Sequence, residues 1–132
     1  MQGIHHLGVA VDDLDAAVAS YERLFGAEVE GRETQREQGV EAVSLRVGSG
    51  RVELLAALGP DTPVGRFLAR RGPGMHHVAY QVADLRAELS RLAGEGVQLV
   101  DHEPRPGLFG LQVAFVHPDA VHGVLSELVG SG

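Results

Sequence analysis

The chain has 132 residues, 44% of them apolar, a formal net charge of −7, and neither cysteine nor lysine. That length suits one compact domain, residues 1–132, standing on packing alone. Disulfides, thiolate metal sites, iron–sulfur clusters, cysteine nucleophiles and lysine bases are excluded, and the acidic balance argues against nucleic acid or an anionic membrane as partner, since both need a cationic face.

The first strand pattern, over 4–11, puts His5, Leu7, Val9 and Val11 on one side and Ile4, His6, Gly8 and Ala10 on the other. The first set is bulky and suits cover by a helix; the second leaves open space beside His6. A helix follows with Leu14, Ala17, Val18, Tyr21 and Leu24 at helical spacing, Asp12 or Asp13 as its cap and Gly26 as its stop. Strands are then expected over 28–30, 40–47 and 51–55, with a Gly48-Ser49-Gly50 turn. Asp61 or Thr62 as cap, Pro63 in the first turn, Phe67 and Leu68, and Gly72 mark a short connecting helix.

Half a chain further on, the opening recurs: Met75-His76-His77-Val78-Ala79 runs to Leu85 as Ile4-His5-His6-Leu7-Gly8 runs to Leu14. Asp84, Leu85, Leu89, Leu92 and Gly94 repeat the helix scheme, and strands are expected over 97–100, 111–116 and 124–129. Each half thus reads β-α-β-β-β: module one 1–57, linker 58–73, module two 74–132. No apolar run approaches the roughly 20 residues that cross a bilayer, so a cytoplasmic protein is expected.

His6 and His77 look towards small-residue hollows, whereas His5 and His76 face the helix side and are read as structural. The last strand of each half carries a carboxylate in an apolar run, Glu53 in Val52-Glu53-Leu54-Leu55 and Glu127 in Ser126-Glu127-Leu128-Val129. A lone buried carboxylate costs several kcal/mol unless paired or bound to a cation. If the modules pack about a pseudo-twofold axis, His6, Glu53, His77 and Glu127 converge on one divalent first-row metal, leaving two octahedral positions open. One carboxylate breaks the symmetry: Glu41 shares its strand face with Val43, Leu45 and Val47, and its counterpart is Leu111. In an apolar hollow it would be a general base with a pKa raised by desolvation; at the strand end it would reach solvent.

The paired modules with His-X-Gly and His-X-Ala strands resemble the vicinal oxygen chelate superfamily, which includes glyoxalase I, extradiol dioxygenases and methylmalonyl-CoA epimerases. Over essentially the whole chain the resemblance is strongest to the epimerases, through Gln38-Gly39-Val40-Glu41, Val52-Glu53-Leu54-Leu55, Gly74-Met75-His76-His77, Glu103-Pro104-Arg105-Pro106-Gly107, Phe115-Val116-His117-Pro118 and Gly123-Val124-Leu125-Ser126-Glu127. The resemblance implies an α+β fold whose eight-stranded mixed sheet curls around a metal-binding cup. It also implies one divalent ion (cobalt, manganese, nickel or zinc) on His6, Glu53, His77 and Glu127, with Glu41 and Glu127 as acid/base groups on opposite faces of an acyl-CoA thioester. A homodimer is implied as well. The chain departs from the pattern at Leu108-Phe109-Gly110, where many members carry Ala-His-Gly, and at Asp119, where lysine is frequent. Rival readings are a glyoxalase I-like lyase acting on a hemithioacetal, an extradiol dioxygenase with three protein ligands on iron, and a metal-free module that sequesters a small molecule. Anionic CoA needs a cationic patch, for which Arg66, Arg70, Arg71 and Arg105 are available.

Overall fold

The computed structural model describes residues 1–131, which form two compact units, residues 6–76 and residues 1–5 with 77–131. In the first, strand β1 (Gly3–Ala10) leads into helix α1 (Leu14–Phe25). Asp13 sets the helix start by accepting the Ala16 N–H at 3.1 Å, satisfying one donor that has no partner within the first turn. Gly26 ends the helix in the left-handed region, φ 63, and its N–H donates to the Glu22 carbonyl. Strands β2 (Glu28–Gln35), β3 (Val40–Val47) and β4 (Gly50–Ala57) follow as an antiparallel meander, and β1 runs parallel to β4. Leu14, Ala17, Val18 and Tyr21 of α1 cover Val43, Leu45 and Leu54, so the helical stripe predicted from the sequence meets one face of the sheet. Helix α2 (Pro63–Arg71) takes Thr62 as its cap and Pro63 at its first position.

The second unit repeats the scheme. Strand β5 (Gly74–Gln81) leads into helix α3 (Leu85–Gly94), which Asp84 caps through the Ala87 N–H at 3.0 Å. Strands β6 (Arg105–Pro106), β7 (Leu111–Val116) and β8 (Ser126–Ser131) complete it, with β5 parallel to β8 and the other pairs antiparallel. Leu85 and Leu89 of α3 pack with Leu99, Ala114, Val116 and Leu128.

Three strands differ from the sequence reading. Residues 97–100 form no strand: Leu99 makes a single bridge to Val116, and the alternation there places Val97 and Leu99 against the α3 cluster. The outer strand of this half is β6 instead, held to two residues between Pro104 and Gly107, where proline lacks the donor a longer ladder needs. Strand β8 starts at Ser126, not at 124, because His122 and Gly123 take positive φ and the Val124 N–H closes a turn onto Val121. In the first half, β2 runs on to Gln35 through a stretch with no apolar alternation.

Along the sheet the strand order is β2-β3-β4-β1-β5-β8-β7-β6. Its parallel and antiparallel pairs make it mixed, and with three α-helices among the described residues the fold is α+β, eight-stranded, as expected. No helix among those residues is long and apolar enough to cross a membrane.

Candidate metal centre

In the 6–76 unit the parallel register sets Gly8 opposite Glu53. Residues opposite one another across a ladder point to the same face, and His6, two positions before Gly8, shares it. Because Val9 and Leu54 belong to the α1 side, His6 and Glu53 lie on the face turned away from α1. Both are buried, and the His6 Nε2 stands 3.5 Å from the Glu53 carboxylate. Burial pushes the Glu53 carboxyl up to about 7, with the negative charge of Glu33 adding to the effect.

The other unit builds the same arrangement. Ala79 stands opposite Glu127 in the parallel β5·β8 pair, and His77, two positions before Ala79, shares the face. His77 and Glu127 are buried too. On the far side of β8, Phe115 stands opposite Glu127 and turns its ring edge-on to His77, centroids 6.0 Å apart. The Arg105 guanidinium lies over that Phe115 ring at 5.3 Å, and its Nε is 3.3 Å from the Asp101 carboxylate.

Among the described residues, His6, His77 and Glu127 each offer a ligand atom within 4.8 Å of the others, a group that could hold a metal ion. Glu53 stands beside this group through His6. The donor chemistry fits: imidazole and carboxylate suit divalent first-row ions, and a cation would offset the cost of a carboxylate whose burial disfavours its charge.

His76 packs against the linker helix α2. Its ring meets Phe67 of α2 edge-on at 5.0 Å, and burial pushes its pKa down, favouring the neutral imidazole.

Glu41 lies on the opposite face of the sheet from His6 and Glu53. It does share its face with Val43 and Leu45, but that is the face α1 covers. There it pairs with Arg32 at 3.0 Å, and Arg32 reaches on to Asp15 of α1 at 2.7 Å. The ladder also moves its counterpart. Glu53 pairs with Ser44 as Glu127 pairs with Phe115, so the residue equivalent to Glu41 is Gln112, and the expected Leu111 is one position off, which in a strand means the opposite face.

Two groups near the ligands escaped the sequence reading in their present roles. Glu33 lies in a part of β2 where no strand was expected, and only the full antiparallel register exposes its direction. Arg105 figured as a possible CoA contact, but its stacking on Phe115 follows from the β6·β7 pairing.

Comparison with known proteins gives a consistent picture. The model of the Glyoxalase/Bleomycin resistance protein/Dioxygenase superfamily matches residues 5–115. An ethylmalonyl-CoA/methylmalonyl-CoA epimerase of Cereibacter sphaeroides is 35% identical over 127 residues, covering 95% of each chain. A methylmalonyl-CoA epimerase structure from Mycobacterium tuberculosis superposes with a TM-score of 0.94 at 36% identity, covering 98% of this chain and 88% of that one. Another methylmalonyl-CoA epimerase, in complex with methylmalonyl-CoA and NH4+, gives a TM-score of 0.95 at 38% identity over 100% of this chain and 96% of its own.

Proposed function

Because the chain belongs to the glyoxalase/bleomycin resistance protein/dioxygenase superfamily, we propose that it is an epimerase interconverting the 2R and 2S forms of methylmalonyl-CoA. The observation that carries this reading is the buried group His6, His77 and Glu127, on a fold matching a structure that holds methylmalonyl-CoA. We read the two units as one functional domain, residues 1–132, in which His6, Glu53, His77 and Glu127 hold one divalent ion: cobalt, manganese, nickel or zinc. When bound, the ion supplies positive charge beside the carbon acid between carboxylate and thioester, making its proton easier to remove.

The chain's own residues supply the rest. His6 and His77 present their imidazoles from matching strands, each two positions before a small residue, Gly8 or Ala79. Glu127 exchanges a proton with the α-carbon on one face. Buried apolar side chains beside it, Val113 and Val129, limit water at the site. Arg105, with Arg66, Arg70 and Arg71 on α2, offers charge to the CoA phosphates. The protein acts in the cytoplasm as a homodimer; a strictly monomeric species in sedimentation would remove the dimer without touching the chemistry.

The test is direct. Cobalt-loaded protein incubated with (2R)-methylmalonyl-CoA in heavy water should yield the 2S form and wash deuterium into the α position. Turnover of a glutathione hemithioacetal with no exchange on the malonyl thioester would replace this reading with a glyoxalase.

A further inference from the structure

Asp101 lies outside the candidate metal group, yet its carboxylate reaches both side chains that line that group in the second unit, Phe115 and Arg105. We propose that Asp101 is a positioning residue for the metal centre: it sets the Phe115 ring against His77 and holds the Arg105 guanidinium over that ring. The proposal rests on reading His6, His77 and Glu127 as metal ligands.

The residues through which Asp101 would act all belong to one compact unit, within residues 77–131. Strand β6 pairs with β7 only at Gln112 and Val113, so the ladder on that edge of β7 stops short of Phe115. Asp101 takes the place of the missing partner. Its backbone N–H donates to the Phe115 carbonyl at 3.2 Å, and its carboxylate accepts the Phe115 N–H at 2.9 Å. The Val100 N–H donates to the same carbonyl at 2.9 Å. Both backbone polar groups of Phe115 are thereby directed away from β8. Phe115 and Glu127, which stand opposite each other, thus form a pair with no ladder hydrogen bonds between them, the kind whose side chains approach more closely. A rigid ring on a fixed backbone is in this way brought beside Glu127 and into a T-shaped contact with His77, centroids 6.0 Å apart.

The same carboxylate governs Arg105. The Arg105 Nε stands 3.3 Å from the oxygen that accepts the Phe115 N–H, and the guanidinium carbon lies 5.3 Å from the ring centroid. That nitrogen is buried and makes no hydrogen bond among the described residues. A buried donor in this state is costly, so the guanidinium is kept there by the charge of Asp101 and by the face of the Phe115 ring. Asp101 therefore has two separable functions. Its acceptor oxygen fixes Phe115, which bears on metal geometry because the groups packed around a ligand orient it. Its negative charge fixes Arg105, which bears on binding of the anionic thioester.

Two substitutions separate these functions. Asp101→Asn keeps an acceptor oxygen and loses the charge, so KM for methylmalonyl-CoA is expected to rise about tenfold with little change in kcat. Its cobalt affinity by calorimetry should stay within about threefold of the parent, because the ring beside the ligands is still held. Asp101→Ala loses both functions. Its cobalt affinity is expected to fall about tenfold or more, and the visible bands of bound cobalt, which report ligand geometry, should shift. Rescue of affinity and bands by asparagine is a pattern that a general loss of structure does not give. If the alanine variant fails to fold, Phe115→Leu decides, since it keeps the backbone bonds to Asp101 and removes the ring; the same shift of the cobalt bands is expected. Parent-like cobalt affinity and bands in Asp101→Ala or in Phe115→Leu would overturn the proposal, as would an unchanged KM in Asp101→Asn. A parent protein that takes up no cobalt would defeat the metal reading itself, and the proposal with it.

Discussion

The two halves of the chain agree at their inner strands and part company at their outer ones. In both, a histidine precedes a small residue by two positions, and that small residue stands opposite a buried glutamate, Gly8 opposite Glu53 and Ala79 opposite Glu127. One strand further out, Ser44 occupies the place that Phe115 holds in the other half. At the edge the difference becomes one of charge: Glu33 stands opposite Ala42 where Arg105 stands opposite Val113. A duplicated scaffold has thus kept the same histidine and glutamate positions in both copies. The outer strands carry opposite signs, acid on one side and a cation stacked on an aromatic ring on the other.

If the inner strands carry the ion, their removal has the largest effect. His77→Ala is expected to lower cobalt affinity at least 100-fold, and Glu127→Ala similarly, with epimerisation falling below detection in both; ion binding unchanged by either substitution would separate the site from these residues. If the outer strand of the second half handles the anionic part of the substrate, Arg105→Gln should raise KM about tenfold and leave kcat within a few-fold, because it removes binding common to ground and transition states. A matched fall in kcat with constant KM would move Arg105 into the chemistry.

How far the sequence discloses this follows the same division. The inner strands were legible because the His-His motif recurs and because a glutamate in an apolar run demands an explanation. The direction of Glu41 was not, since β3 buries Ala42, Val43, Ser44 and Leu45 in succession. When both faces of a strand are buried, alternation tells which residues share a face but not which face meets the helix. Glu33 was hidden for the opposite reason. Its strand, Glu28–Gln35, is polar throughout, so no period marked it as a strand at all. The expected strand at 97–100 misled because residues packed beneath a helix can alternate without joining a ladder.

A smaller effect is expected at Glu53. Glu53 ionises with an ordinary value of 4.5 when unfolded and near 7 when folded, chiefly through burial. A carboxyl raised in the folded state favours folding fully below about pH 4.5, where both states are protonated, and that contribution is lost as pH rises through about 7. The metal-free protein should therefore lose stability between these limits, on the order of 3 kcal/mol or roughly 10 °C in Tm. Glu53→Gln should flatten that part of the profile, and cobalt should restore the parent's Tm above pH 7. A profile of the same slope in parent and variant would mean that Glu53 is not the group being buried at a cost.

The smallest effect is expected at Glu41. Its carboxylate joins Arg32 and Asp15 on the α1 face, where the Asp15 side chain is 79% exposed and the pairing contributes at most about 1 kcal/mol. Glu41→Gln should lower Tm by no more than a few degrees and leave epimerisation within twofold of the parent. Should Glu41→Gln abolish epimerisation with Tm and cobalt affinity preserved, proton transfer would have to reach the α1 face, and the assignment of the other face to the chemistry would be wrong.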